Sequence, residues 1–207
     1  MLRCPAVILI GPTGSGKTPF GKLCEESGLW GHGCVHFDFG QNLRNIAGQS
    51  DHPSYLGEYE MAVIRYSLET GALLEDEHFY IACHILREFI EKNLEGETDM
   101  LVLNGLPRHT GQANHIDGLI DVQGVICLEC PPAMVRRRVF LNSGGDRSGR
   151  VDDSDGEIEN KLSIFHDRTA PIVDHYQREG VPIYRITIRE YTKPEEILHV
   201  LEMNHSV

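Results

Sequence analysis

The chain has no stretch approaching the ~20 consecutive apolar residues that a membrane span needs. The short apolar run within residues 1–10 suits a buried strand better than the core of a secretory signal. Positive charge is scarce: 19 Lys and Arg stand against 31 Asp and Glu, for a net charge of −12. That balance excludes broad nonspecific adhesion to nucleic acid or to an acidic membrane. It does not exclude a phosphate-bearing ligand, because a few clustered arginines can hold phosphates inside an acidic protein. The six cysteines are scattered, with no secretory signal ahead of them, and the expectation is a reduced, cytoplasmic setting. Cys127 and Cys130 form a CxxC, but no second pair stands at zinc-finger distance. Two small residues at the end of a strand is the preferred reading there over a metal or redox site. Neither an internal repeat nor an interdomain linker is visible, so 207 residues read as one domain with a substantial core.

What is present is an alternation. Residues 6–10, 34–37, 100–103, 125–128 and 183–188 are short apolar runs bounded by turn residues, the pattern of parallel strands buried on both faces. Between them lie helical patterns. Residues 17–27 place Phe20, Leu23 and Cys24 on one face. Residues 43–74 read as two helical pieces broken around 48–53, with Leu56, Tyr59, Val63 and Tyr66 at helical spacing. Residues 77–93 turn Ile81, Ile85, Phe89 and Ile90 inward. Pro131 and Pro132 open a helix through residue 141 at the position where proline is tolerated. Residues 155–178 form a long helix with Ile158, Leu162, Phe165 and Ile172 toward the core. Strands alternating with helices predict one α/β domain around a five-stranded parallel sheet. Residues 142–155, NSGGDRSGRVDDSD, cannot bury themselves and are expected as a surface excursion able to move.

Gly11-Pro12-Thr13-Gly14-Ser15-Gly16-Lys17-Thr18 matches G-x-x-x-x-G-K-[ST] between a strand and a helix, the P-loop pattern. Its glycines let successive N–H groups, those of Gly14, Ser15 and Gly16 among them, curl toward phosphate oxygens, and the helix N-terminus adds positive potential. Lys17 is placed to reach the β- and γ-phosphates, and the Thr18 hydroxyl to meet Mg²⁺. Pro19 lacks an N–H, but in a first turn that donor has no partner within the helix. These features imply ATP or GTP binding and leave the acceptor open, since many NTPases share the loop.

The acceptor is indicated by a resemblance. Asn104-Gly105-Leu106-Pro107-Arg108 followed by Gln112 resembles the DGFPR…Q signature of adenylate kinases. In chain order, residues 40–44 (GQNLR) look like that family's GDxLR, residues 71–74 (GALL) like its GxLV, and residues 149–153 (GRVDD) match its GRxDD. Residues 125–138 are similar to its strand and helix ending in an ATP-binding arginine. The resemblance covers nearly the whole chain.

It implies a P-loop nucleoside monophosphate (NMP) kinase of the short-lid type, using ATP and Mg²⁺ and expected as a monomer. The core would comprise residues 1–38, 75–141 and 156–207, with an NMP-binding arm at 39–74 and a lid at 142–155. Lys17, Arg108, Arg138 and Arg150 are the implied catalytic set. Arg44, Arg108 and Arg150 would hold the acceptor phosphate, with Phe39, Gly40, Gly105 and Lys161 alongside. Gln112 would bond the acceptor base, and Ala72, Leu73 and Leu74 would line its pocket. Arg138 and Arg147 would close over ATP, and Asp152 and Asp153 would be hinge acids of the lid.

Several positions depart from the family pattern. Asn104 stands where an aspartate orders water around Mg²⁺; an amide still bonds water but adds no negative charge. Phe39 and Gln41 replace Thr and Asp, leaving Phe39 either a base-stacking or a core residue. Lys161 replaces an arginine, a point charge in place of a bidentate fork, and Asn142 replaces another. The expected reaction is in-line transfer from ATP to AMP without a covalent intermediate or a catalytic histidine. Alternatives are another NMP, a small metabolite, or a nucleotide-binding module with little turnover.

Overall fold

A computed structural model of the chain describes residues 3–49, 52–94, 99–147 and 154–205. Five strands, β1 (Cys4–Ile10), β2 (Cys34–Asp38), β3 (Met100–Asn104), β4 (Ile120–Glu129) and β5 (Ile183–Thr187), form one sheet in the order β2-β3-β1-β4-β5. Every pairing is parallel. The continuous apolar runs are explained by helices on both faces. Ala6, Ile8, Ile10, Leu101, Leu103 and Val125 join one hydrophobic layer, while the residues between them, Val7, Leu9, Val102, Ile126 and Leu128, join the other. Each fully buried side chain of this size contributes about 1.5–3 kcal/mol, so sheet burial outweighs any local preference of these segments.

The first layer takes α2 (Phe39–Ala47), α3 (Glu58–Thr70), α4 (Phe79–Asn93), α5 (Thr110–Ile116) and α8 (Pro171–Arg178). The second takes α1 (Lys17–Ser27), α6 (Pro132–Phe140), α7 (Asp155–Ile164) and α9 (Pro194–His205). The short α5 and the C-terminal α9 were not read from the sequence. Helix α3 stops earlier than expected, at Thr70, because Gly71 takes a left-handed cap. It buries Met61 and Ile64, while Tyr59 and Tyr66 of the expected stripe are exposed.

The long helix expected over 155–178 is interrupted. Residues Phe165–Thr169 form a π turn in which the Ala170 N–H reaches Phe165 O at 2.8 Å, five residues back. Pro171 follows at once; it has no N–H, and its ring would crowd the carbonyl four residues earlier, so the wider turn accommodates it. At this turn the helical run passes from one layer to the other.

Helix α1 packs close on β2 because Gly21 lacks a side chain. A Cβ there would stand 2.3 Å from ring atoms of His36, nearer than any real contact. Gly21→Ala should therefore lower unfolding free energy by about 1 kcal/mol or more, despite alanine's better helix propensity. Denaturant melts of Gly21→Ala, His36→Ala and the double variant would measure this, with strong coupling between the two sites expected.

Candidate active site

Adjacent strands β1 and β3 send their chains in opposite directions. From β1 the chain crosses by α1 to β2, beyond β3; from β3 it crosses by α5 to β4, beyond β1. Helices α1 and α5 lie on opposite layers, so a crevice opens at the carboxyl ends of these two strands, where open α/β sheets bind ligands. A cleft lies here. Its walls include the Gly11–Thr18 loop, Asp38, Arg44, Asn104, Arg108, Arg147 and Lys161.

The loop has the geometry its glycines predict. A Cβ on Gly11 would meet Leu128 O of the neighbouring strand at 2.9 Å, so only glycine allows the turn to leave the sheet. Gly16, at φ 99°, is the N-cap of α1 and makes no side-chain cap bond. The first N–H groups of α1 consequently have no partner in the helix and constitute an anion site. The Ser15 hydroxyl is buried and makes no protein hydrogen bond. Lys17 Nζ folds back onto Gly11 O at 2.6 Å and Pro12 O at 2.9 Å. Burial lowers its pKa to about 8, with Asp38 opposing and Arg108 and Arg147 adding to the shift.

Beside the loop is a three-way polar contact. Thr18 donates its hydroxyl proton to Asp38 Oδ2 at 2.6 Å, and Asn104 Nδ2 donates both to that carboxylate oxygen (3.0 Å) and to Thr18 Oγ1 (3.1 Å). Asp38 Oδ1 accepts from the Gln41 N–H at 2.9 Å as the N-cap of α2. Burial alone would raise the Asp38 pKa; the bonds from Thr18 and Gln41, with His36 and Arg44 nearby, outweigh it and hold the carboxyl below its ordinary range.

Arg108 follows the Gly105 turn and bonds Gly105 O through Nε at 3.1 Å. Its main chain is held at both ends: the N–H donates to Gln112 Oε1 at 2.7 Å, and the carbonyl accepts from Thr169 of the π turn at 2.9 Å. Burial lowers the Arg108 pKa, with Asp38 opposing and Arg44 adding. Arg44 Nη2 donates to Gln41 at 3.0 Å. The cleft thus gathers Lys17, Arg44, Arg108, Arg147 and Lys161 within a strongly acidic protein. Leu43, Leu68, Gly71 and Leu73 also line it.

Several other residues of the expected set, Arg138, Gln112, Leu74 and Phe39 among them, are not in the cleft lining. Arg138 is 2% exposed and lies behind the loop, bonding Gly14 O at 2.9 Å through Nε, and Arg189 O at 2.6 Å and Glu190 O at 2.9 Å through Nη1. It ties the phosphate loop to the turn before α9. Gln112 is 1% exposed, and besides Arg108 N it bonds Leu74 O at 2.7 Å, while Leu74 itself packs into the core. Phe39 is 3% exposed and stacks on Phe37 in the core. Arg150, Asp152 and Asp153 lie outside the described residues.

Cys127 and Cys130 are buried, and desolvation raises both thiol pKa values, so neither is a poised thiolate. Among the described residues no group of three or more His, Cys, Asp or Glu gathers to hold a metal, and no helix is long and apolar enough to cross a membrane. Sequence reasoning missed Asp38 and Asp146, the latter also in the cleft wall. The available signal for Asp38 was an acid at a strand's carboxyl end, one residue before a helix.

No family model matches the chain. Comparison with curated proteins is more informative. The adenylate kinase of Prochlorococcus marinus (strain MIT 9313) is 28% identical over 181 residues, covering 84% of this chain and 86% of the relative. That of Synechococcus sp. (strain WH7803) is 28% identical over 183 residues, covering 86% and 87%. The adenylate kinase of Stenotrophomonas maltophilia (strain R551-3) is 31% identical over 184 residues, covering 84% and 86%. Identity at that level, sustained across nearly the full length of both proteins and joined to a P-loop at the switch point of a parallel sheet, makes this chain a member of the adenylate kinase family.

Proposed function

We propose that the protein transfers the γ-phosphoryl group of ATP to a nucleoside monophosphate, with AMP the preferred acceptor. The observation that carries this reading is the convergence of five cations on one cleft at the mouth of the phosphate loop. Two polyanions repel, and bringing them into line requires fixed positive charge at their meeting point. The reading is supported by the similar adenylate kinases, and AMP is the acceptor those relatives suggest.

In this mechanism the loop N–H groups and Lys17 hold the ATP phosphates, and Lys17 exchanges its two carbonyl partners for phosphate oxygens. Arg44 and Arg108 hold the acceptor phosphate, joined by Arg150, and its base rests against Leu68 and Leu73. Arg147 and Lys161 face the transferred group. Gln112 and Arg138 act by position, the first fixing Arg108 and the end of the arm, the second fixing the loop from behind. No side-chain base is needed, because an acceptor phosphate oxygen is already a competent nucleophile.

Mg²⁺ brought in with the nucleotide would be held through the Thr18 hydroxyl and Asp38, and would supply positive charge to neutralise what develops on the transferred phosphate. The Thr18 hydroxyl beside an ionised Asp38 fits an ion that takes one or two protein oxygens and completes its shell with phosphate and water. The arm (39–74) and lid (142–155) are assigned to closing over the substrates and excluding water, within one NMP-kinase domain spanning the chain.

Arg108→Ala should lower kcat on the order of 10³-fold, as loss of an arginine at transferring phosphate does, with circular dichroism unchanged. Transfer at the parent rate would remove Arg108 from the acceptor site.

Lys17 gives a pH dependence of definite sign. Phosphate's last ionisation lies near 6, so the ligand's charge is constant above neutrality. The free protein's Lys17 loses its proton near pH 8, whereas contact with phosphate favours the charged form. ATP affinity should be level below pH 8 and fall as pH rises through and above it, with proton uptake on binding. Calorimetry in two buffers of different ionisation enthalpy measures both, and Lys17→Met should remove the uptake along with transfer.

A further inference from the structure

Asp38 and Asn104 are register partners across β2 and β3 and end side by side at the carboxyl edge of the sheet. Asn104 occupies the place where the resemblance leads one to expect an aspartate, and Asp38 supplies a carboxylate one strand over, about 4.8 Å sideways. We propose that Asp38 is the positioning carboxylate of this cleft: it orients Thr18 toward the Mg²⁺ of bound ATP and holds that ion's water shell, in place of the residue at 104.

Three features of the contact carry this. Thr18 donates its proton to Asp38 Oδ2, so the hydroxyl oxygen keeps lone-pair density for a cation. Asp38 divides its two oxygens: Oδ1 caps α2 through Gln41 N–H, while Oδ2 faces Thr18 and Asn104 in the cleft. A cap alone needs only the first. Asn104 is the complementary choice, because its amide donates to Asp38 and Thr18 together. An aspartate there would set two carboxylates about 3 Å apart, where both cannot comfortably ionise. The site therefore has one negative charge, moved from β3 to β2, with an amide where the second would clash.

The inference rests on ATP occupying this cleft, and the test separates the two. Calorimetry would measure ATP affinity with EDTA and with graded Mg²⁺, using parent, Asp38→Asn, Asn104→Asp and the swapped pair. Asparagine caps a helix as well as aspartate, so Asp38→Asn keeps the cap while replacing the charged acceptor that faces Thr18 and Asn104 with an N–H donor; the swapped pair restores a donor–acceptor match there. In EDTA, Asp38→Asn should bind ATP at least as tightly as the parent. The gain in affinity that Mg²⁺ gives the parent should shrink by about 10–100-fold, the usual cost of losing a partner of this kind. The swapped pair should recover that gain, and Mn²⁺ titration followed by electron paramagnetic resonance should give the same order. Should Asp38→Asn alone melt too low for calorimetry, the swapped pair carries the test.

An unchanged Mg²⁺ gain in Asp38→Asn would overturn the proposal. So would a folded swapped pair without the gain, or a defect confined to acceptor binding. A parent that binds no ATP in either condition would overturn the nucleotide site itself, and this inference with it.

Discussion

In the proposed reaction, repulsion between the phosphates of donor and acceptor is the constraint around which this structure is arranged. The protein is acidic as a whole, yet lysines and arginines from five separate stretches meet in one crevice. Such a concentration of like charge is unfavourable without ligand. Burial and neighbouring cations pull the Lys17 and Arg108 pKa values down, and Asp38 acts against that pull at both. In the free protein Lys17 spends its charge on the carbonyls of Gly11 and Pro12. In the proposed mechanism, phosphate replaces those partners and relieves the repulsion among the cations.

The sheet makes this convergence possible. With every strand parallel, the loops after β1, β2 and β3 emerge on one edge, and the divergence of the chain at β1 and β3 leaves room between them. The π turn at Phe165–Thr169 adds a fourth wall, and Thr169 bonds the Arg108 carbonyl. Arg108 is thereby fixed by Gln112 on one side and Thr169 on the other, so its guanidinium is carried by a backbone with little freedom. Arg138 stabilises the phosphate loop in the same indirect way, through carbonyls.

Much of this could be read from the sequence because its signals are local. The P-loop is eight consecutive residues with a strand before and a helix after, and the buried parallel strands announce themselves as unbroken apolar runs. Arg44, Arg108, Arg147 and Lys161 reach the expected cleft. What escaped reading depends on contacts between distant segments. The importance of Asp38 follows from its register opposite Asn104 and its bond to Thr18, 20 residues away. Gln112 and Arg138 also bond main-chain carbonyls from elsewhere in the fold, contacts that no local pattern reveals. The π turn ahead of Pro171 interrupts a run whose apolar spacing is that of one continuous helix. Helix α5, only seven residues long, is too short for periodicity to reveal.

The most direct test of the central claim is an initial-rate measurement of ADP formation from ATP with each nucleoside monophosphate in turn, beside a control without acceptor. Two phosphate ligands meeting in one water-excluding cleft predict fastest product with AMP, two ADP formed for each ATP consumed, and negligible turnover in the control. ADP release at the same rate with and without acceptor, or no product with any of them, would contradict it.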